Sequence, residues 1–190
     1  MANNGVEIEI KVPLDKSAFL KVKEQLKSSA KFIKSKTEKD DYFTPAHRNF
    51  VEPKYPFEWL RLRNLGDSVL ITYKHFYPEN TEKTTHCDEF EAEVKNPKHA
   101  FKIFEALNFK KLVTVEKTRE TYHYGDEFEI ALDIVADLGF FIEIEALKDF
   151  GSISSAREKL FELAKKLGVD ASNCDLRGYP FMLLKKKGLL

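Results

Sequence analysis

The 190-residue sequence predicts an α+β fold: an eight-stranded, mostly antiparallel sheet, large enough to close into a β-barrel, covered by amphipathic helices. Three observations predict it. Eight stretches alternate apolar and polar residues with period two, three others repeat at period 3.6, and several links between strand candidates are short and turn-like. Eight glycines and seven prolines are scattered without a repeat or low-complexity run, so residues 1–190 read as a single continuous domain.

The opening stretch, about 6–12, alternates strictly from Val6 to Val12 and sends Glu7, Glu9 and Lys11 to the face opposite its aliphatics. A helix follows from near Asp15, a good N-cap, with Phe19, Val22 and Leu26 on one stripe. Strand candidates then fall at about 31–43, 57–64 and 68–76, the last two joined by the turn-like Asn64-Leu65-Gly66-Asp67. After a strand at 87–95, Asn96 and Pro97 cap and open a second helix that presents Ala100, Phe101, Phe104 and Leu107. Strands at 112–124 and 127–135 meet at Gly125-Asp126, and the last strand lies at 139–147. The third helix has a capping-box pair in Ser155 and Glu158, buries Leu160, Leu163 and Leu167, and stops at Gly168. The helices carry no chemistry of their own and serve as cover for the sheet.

Thirty-one basic residues cancel 31 acidic ones, and the zero net charge excludes a uniformly basic nucleic-acid binder. Charged residues still make up 33% of the chain, above the quarter or so that is usual, and that excess needs a location. No run approaches the ~18 apolar residues of a membrane span, and the first residues lack the basic and apolar parts of a signal peptide. A cytoplasmic protein with no membrane partner is expected. Cys87 and Cys174 sit in no CxxC or Cys/His cluster of zinc spacing. His86 beside Cys87 is not a nucleophile pair, because neighbours on a strand point to opposite faces.

The excess charge falls on the strands. Arg61 and Arg63 oppose Leu60 and Leu62, Lys74 shares a face with Thr72, Glu89, Glu91 and Glu93 line up, and Lys117 pairs with Arg119. Glu129 and Asp133 oppose Ile130 and Leu132, while Glu143 and Glu145 oppose Ile142 and Ile144. With Glu7, Glu9 and Lys11, nine acids and six bases share one sheet face. Such a face looks into bulk water or lines the inside of a curled sheet. Solvated faces mix in Ser, Thr and Gln, whereas this one is nearly pure Glu, Arg and Lys, which favours an enclosed polar channel. Arginine forks and lysine point charges neutralise phosphate oxygens, and clustered carboxylates hold Mg2+ or Mn2+ that bridge to phosphates. Both together suit a polyphosphate with its metal. No GxxxxGK[ST] loop is present, so side chains would have to cradle a bound nucleotide.

The same residues form an ordered set of landmarks. ExExK stands as Glu7-Ile8-Glu9-Ile10-Lys11, followed by LRLR with Arg61 and Arg63, TYK ending at Lys74, EFEAEV, KTR with Lys117 and Arg119, and LDIVADLGFFIEIE with Asp133, Glu143 and Glu145. This set resembles the CYTH superfamily of class IV adenylyl cyclases and thiamine triphosphatases, also called triphosphate tunnel enzymes. The resemblance spans about residues 6 to 147, with a helical tail like those of relatives. It implies an eight-stranded antiparallel tunnel that binds a triphosphate on basic residues and a divalent metal on acidic ones. Carried over residue by residue, Arg61, Arg63, Lys74, Lys117 and Arg119 are the implied triphosphate ligands. Glu7, Glu9, Glu143 and Glu145 are the implied carboxylates for Mg2+ or Mn2+, and Lys11, Lys117 and Asp133 form the implied catalytic group.

The stretch YFTPAHRNF at residues 42–50, followed by EWLRLR, is similar to the class IV cyclase branch, with Asn49 where an acid is common there. The resemblance therefore implies a metal-dependent adenylyl cyclase that converts ATP to cyclic AMP and pyrophosphate. Its partner would be ATP or another triphosphate, not a nucleic acid duplex, and a homodimer is open. The alternative is a triphosphatase acting on inorganic, thiamine or nucleoside triphosphate. A non-catalytic polyphosphate-binding module and a plain solvated sheet are the readings from other classes. His47 and Arg48 read equally as a solvated loop or as part of substrate choice. His75, His99, His123, Cys174 and the Lys185-Lys186-Lys187 run read as structural or surface residues.

Overall fold

The computed structural model describes residues 5–190. Its elements run β1 (Val6–Glu7), β2 (Glu9–Leu14), α1 (Lys16–Ser29), β3 (Lys31–Thr44), β4 (Glu58–Asn64), β5 (Ser68–Tyr77), β6 (His86–Lys95) and α2 (Pro97–Ala106). They continue with β7 (Lys110–Tyr124), β8 (Phe128–Val135), β9 (Gly139–Ala146), α3 (Ile153–Lys166), a 3-10 turn at Ala171–Asn173 and α4 (Gly178–Lys186). Two compact units result. The first holds the chain to Thr37 with Lys117–Leu176, and the second holds Glu38–Glu116 with Arg177–Leu190, so β3 and β7 each contribute residues to both.

In the first unit β7, β8, β9 and β2 pair antiparallel in that order. The register places Ile130 opposite Ile144 and Ile144 opposite Ile10 on one face, and all three are fully buried with Leu26 of α1 and Leu160 of α3 in one core. Replacing any of them by Ala costs about 2–5 kcal/mol. Asp15 caps α1 as expected, accepting from the Ala18 backbone N at 2.8 Å. Two expectations are corrected here. The first strand candidate is split at Ile8, giving nine strands instead of eight. Its partner β9 runs out at Ala146, whose N makes a last bond to the Ile8 carbonyl at 3.0 Å. The third helix starts a turn earlier than the Ser155–Glu158 pair suggests. Ser152 is the N-cap, and its hydroxyl accepts from Ser155 N at 3.1 Å. The stop at Gly168 is as expected, with φ of 72° and its N bonded to the Lys165 carbonyl at 3.0 Å.

In the second unit the order is β6, β5, β4, β3, again antiparallel. α2 lays Ala100 and Phe104 on Phe43, Leu62 and Val69. α4 lies in the helical tail that the resemblance implied, but periodicity does not reveal it. Tyr179, Phe181, Leu183 and Leu184 are buried around much of its circumference, so no 3.6-residue contrast exists. Gly178 opens α4 at φ +85°, where a Cβ would also meet Pro180 Cδ at 3.4 Å, and Trp59 Nε1 donates to the Arg177 carbonyl at 3.2 Å. Among the described residues no helix is long and apolar enough to cross a membrane.

Candidate active site

The face of the first unit's sheet away from its helices is built in register rows. Antiparallel pairing sets Arg119 opposite Asp133, Thr121 opposite Ala131, Glu143 opposite Lys11, and Glu145 between Glu129 and Glu9. From these positions the side chains form a run of six alternating charges. Lys117 Nζ reaches Asp133 Oδ2 at 3.4 Å. Arg119 donates to both Asp133 oxygens, through Nε at 2.7 Å and through Nη2, and Nη2 also donates to Glu143. Lys11 Nζ then sits 3.2 Å from Glu143 Oε1 and 3.2 Å from Glu9 Oε1. Asp133 is fully buried, and Glu9, Lys11, Lys117 and Glu143 are each below a tenth exposed. Buried charge persists only when paired, and here every member has an opposite neighbour.

One face of the second unit's sheet places Tyr42, Arg61, Thr72 and Glu91 in one row and Asp40, Arg63, Leu70 and Glu93 in the next. Arg63 forks onto Asp40 at 2.6 and 2.7 Å and gives Nη1 to Glu38 at 2.8 Å, so three of its donors are taken by two buried acids. Arg61 is held less completely. Its Nη2 donates to Thr72 at 2.9 Å and lies 3.4 Å from Glu91, while its Nε is buried without a hydrogen-bond partner among the described residues. Burial opposes the charged form of Arg61, but Tyr42, Asp40, Glu89 and Glu91 outweigh it and raise its pKa above the ordinary value. Lys74 pairs with Glu89 at 3.3 Å.

Thr72 lies on the charged face as expected beside Lys74, whereas Glu38 and Asp40 join these rows without having been expected there. The signal was present in Glu38, Asp40 and Tyr42, which alternate along β3 just as Glu7, Glu9 and Lys11 do. The cysteines stay apart from the charges: Cys87 is buried and Cys174 half-buried, both as free thiols. On the opposite faces each unit has a tyrosine–glutamate–cation triad. Tyr122 donates to Glu120 at 2.8 Å beside Lys23, and Tyr73 donates to Glu58 at 2.6 Å beside Arg48.

Glu9, Glu129 and Glu145 share a register row with Glu143 in the next, an all-oxygen donor set that matches a hard divalent cation. Among the described residues no three His, Cys, Asp or Glu groups already stand at metal-holding geometry, and Lys11 occupies the place of positive charge between Glu9 and Glu143. In donor chemistry the set fits Mg2+ or Mn2+.

A family model described as the CYTH domain matches residues 5–179. The "Putative adenylate cyclase MJ0240" of Methanocaldococcus jannaschii is 34% identical over 176 residues, 92% of this chain and 96% of that protein. The PH1819 protein of Pyrococcus horikoshii OT3 is 34% identical with a TM-score of 0.79, covering 95% of this chain and 99% of its own. That likeness shows the expected fold class, an antiparallel β-barrel of the triphosphate tunnel type with helical cover, with nine strands in place of eight. HpAC1 from Hippeastrum, described as having a dominant triphosphatase activity, shares the fold at a TM-score of 0.63 and 16% identity, covering 97% of this chain and 96% of its own.

Proposed function

The chain belongs to the CYTH domain family, and on that premise we propose that it is a metal-dependent adenylyl cyclase converting ATP to cyclic AMP and pyrophosphate in a cytoplasmic setting. The observation that carries this reading is the alternating run from Lys117 to Glu9. Cations held by carboxylates on a shared sheet face are poised to exchange those carboxylates for phosphate oxygens. Lys117, Arg119, Arg61 and Lys74 are assigned to the triphosphate, whereas Arg63, which the resemblance groups with them, has three donors taken by Asp40 and Glu38 and is assigned to holding β3 and β4 together. Arg61 is the less completely held arginine of its unit, and Arg119 offers a fork of fixed orientation. Asp133, buried and bound to both Lys117 and Arg119, is a positioning residue that fixes their direction. Lys11 and Lys117 are assigned to charge developing on the leaving pyrophosphate. A divalent cation on Glu7, Glu9, Glu143 and Glu145 would supply Lewis-acid stabilisation of phosphoryl oxygens and lower the pKa of the attacking hydroxyl.

A second reading, triphosphate hydrolysis, uses the same ligands with water as nucleophile. One local observation favours it. Asn49 stands where the cyclase branch commonly has an acid, and its side-chain oxygen accepts from Val51 N at 3.2 Å inside its own loop. The activity described for the Hippeastrum protein points the same way. Incubation with ATP or inorganic triphosphate, each with Mn2+ and with Mg2+, separates the readings. The cyclase reading expects cyclic AMP and pyrophosphate from ATP. Phosphate and ADP without cyclic AMP would overturn it in favour of the triphosphatase.

A further inference from the structure

The loop after β3 and the start of β7 enclose a cleft of about 450 Å3 whose charged lining, His47, Arg48, Lys110 and Lys111, contains no acid. In a chain with equal numbers of acids and bases this local excess is a distinct feature. The walls are held in place. The buried Thr44 hydroxyl donates to the Arg48 carbonyl at 3.0 Å and accepts from Phe50 N at 2.9 Å, which fixes the turn that carries His47 and Arg48. Arg48 is anchored on Glu58 at 3.0 and 2.7 Å and lies over the Phe50 ring, and Lys111 is anchored on Asp41 at 2.5 Å. Lys110 and His47 are exposed, with no ion pair among the described residues.

A neighbouring cleft of about 470 Å3 shares Lys110 and Lys111 but has a different wall, formed by Phe43, Phe101 and Phe109 and rimmed by Asp41, Glu105 and Asn108. Aromatic rings accept a flat heterocycle, and rim carboxylates accept hydrogen bonds from an exocyclic amine. Each cleft falls within the ~300–1,000 Å3 typical of small-ligand sites. Aromatic wall, carboxylate rim and acid-free cationic wall thus meet at Lys110 and Lys111.

We propose that these paired clefts form a second ligand site, separate from the charged sheet faces, for a nucleoside monophosphate whose base carries an exocyclic amine. The base lies against Phe101 and Phe109, its amine donates to Glu105 or Asp41, and Lys110 with His47 takes the phosphate. Asp41 and Phe43 alternate along β3 with Asp40 and Tyr42, so this ligand lies behind the residues that hold Arg63 and flank Arg61.

The test is calorimetric titration of the full chain with 5′-AMP in the presence of saturating inorganic triphosphate, so that occupancy of the proposed triphosphate ligands does not contribute. AMP is expected to bind saturably, and more tightly than adenosine or inorganic phosphate alone. Lys110→Glu, an exposed change with little bearing on folding, is expected to weaken AMP about tenfold or more while leaving adenosine unchanged. Phe101→Leu is expected to weaken both. Displacement of AMP by triphosphate, or unchanged AMP affinity in Lys110→Glu, would overturn the site. Equal affinity for 5′-UMP, which lacks the amine, would overturn the base assignment. None of these readouts depends on turnover, so failure here and failure of the cyclase reading are distinguishable.

Discussion

Both units contain the same device, an arginine forked onto an aspartate directly across an antiparallel strand pair: Arg119 with Asp133 in the first and Arg63 with Asp40 in the second. Their surroundings separate them. Around Arg63 the second carboxylate, Glu38, closes the set, and both acids are almost fully buried. Around Arg119 the second carboxylate, Glu143, is shared with Lys11, which leads on to Glu9. The geometry of one pair is thus no guide to its use. A closed pair holds strands together, while the pair embedded in a longer run of alternating charge is the one that the proposed function assigns to phosphate.

The largest effect expected from this difference follows removal of the aspartates. Asp133→Ala strips Lys117 and Arg119 of their shared partner, and Asp40→Ala does the same to Arg63. Breaking one side of a buried pair costs about 3–5 kcal/mol, so urea denaturation should register both losses at similar size. Affinity for inorganic triphosphate should collapse in Asp133→Ala and fall much less in Asp40→Ala. Equal losses of affinity would erase the distinction between the two pairs.

Next in size is the exchange of the arginines for methionine. Arg119→Met should lower turnover by roughly 10²–10³, the scale of losing one oriented donor to developing charge. Arg63→Met should instead lower stability, because the buried Glu38 and Asp40 lose the guanidinium that binds both. Turnover per folded molecule, measured well below the melting temperature, should stay within a few-fold of the parent. A tenfold or greater loss there would move Arg63 into the reacting set.

The fold class and the charged face of each unit were legible because strand alternation is a local property, written residue by residue into Glu9–Val12, Glu89–Glu93 and Phe128–Val135. What could not be read is the neighbour across the strand. Nothing local in LRLR distinguishes Arg61, with a buried Nε unpaired among the described residues, from Arg63, sealed by Asp40 and Glu38. Register decides that, and it is set by long-range pairing. The Ser152 cap was missed for a smaller reason. Ser152 and Ser155 are both good caps, and only the Ser155 position offers a glutamate three residues on.

Two buried threonines sharpen the contrast at about 1 kcal/mol. Thr72 in the second unit accepts from Arg61 and donates to Glu91, both at 2.9 Å. Thr121 in the first unit is fully buried, and its hydroxyl has no partner among the described residues. Val matches threonine in shape, so Thr72→Val should destabilise by about 1–2 kcal/mol, whereas Thr121→Val, which removes an unsatisfied group, should be neutral or stabilising by about 1 kcal/mol. Thermal melts of the two variants suffice. A destabilised Thr121→Val would mean that its hydroxyl is satisfied in solution, and the first unit's polar face would then hold ordered water.

The smallest effect distinguishes the outer triads. Burial alone would raise the Glu120 pKa, but hydrogen bonds from Lys23 and Tyr122 outweigh it and hold the carboxyl below its ordinary 4.5. A depressed folded-state pKa contributes stability that is present above the unfolded value and lost as pH falls through the folded one. The stability difference between the parent and Glu120→Gln should therefore be constant from neutral pH down to about 5 and vanish as the medium is acidified further. Its plateau should stay below ~1 kcal/mol, because Lys23 is about a third exposed and solvent screens the pair. Tyr73 and Glu58 make the matching bond at 2.6 Å with the carboxylate nearly buried, so Tyr73→Phe should cost more than Tyr122→Phe. Equal costs would mean that exposure of the carboxylate does not set the strength of these bonds.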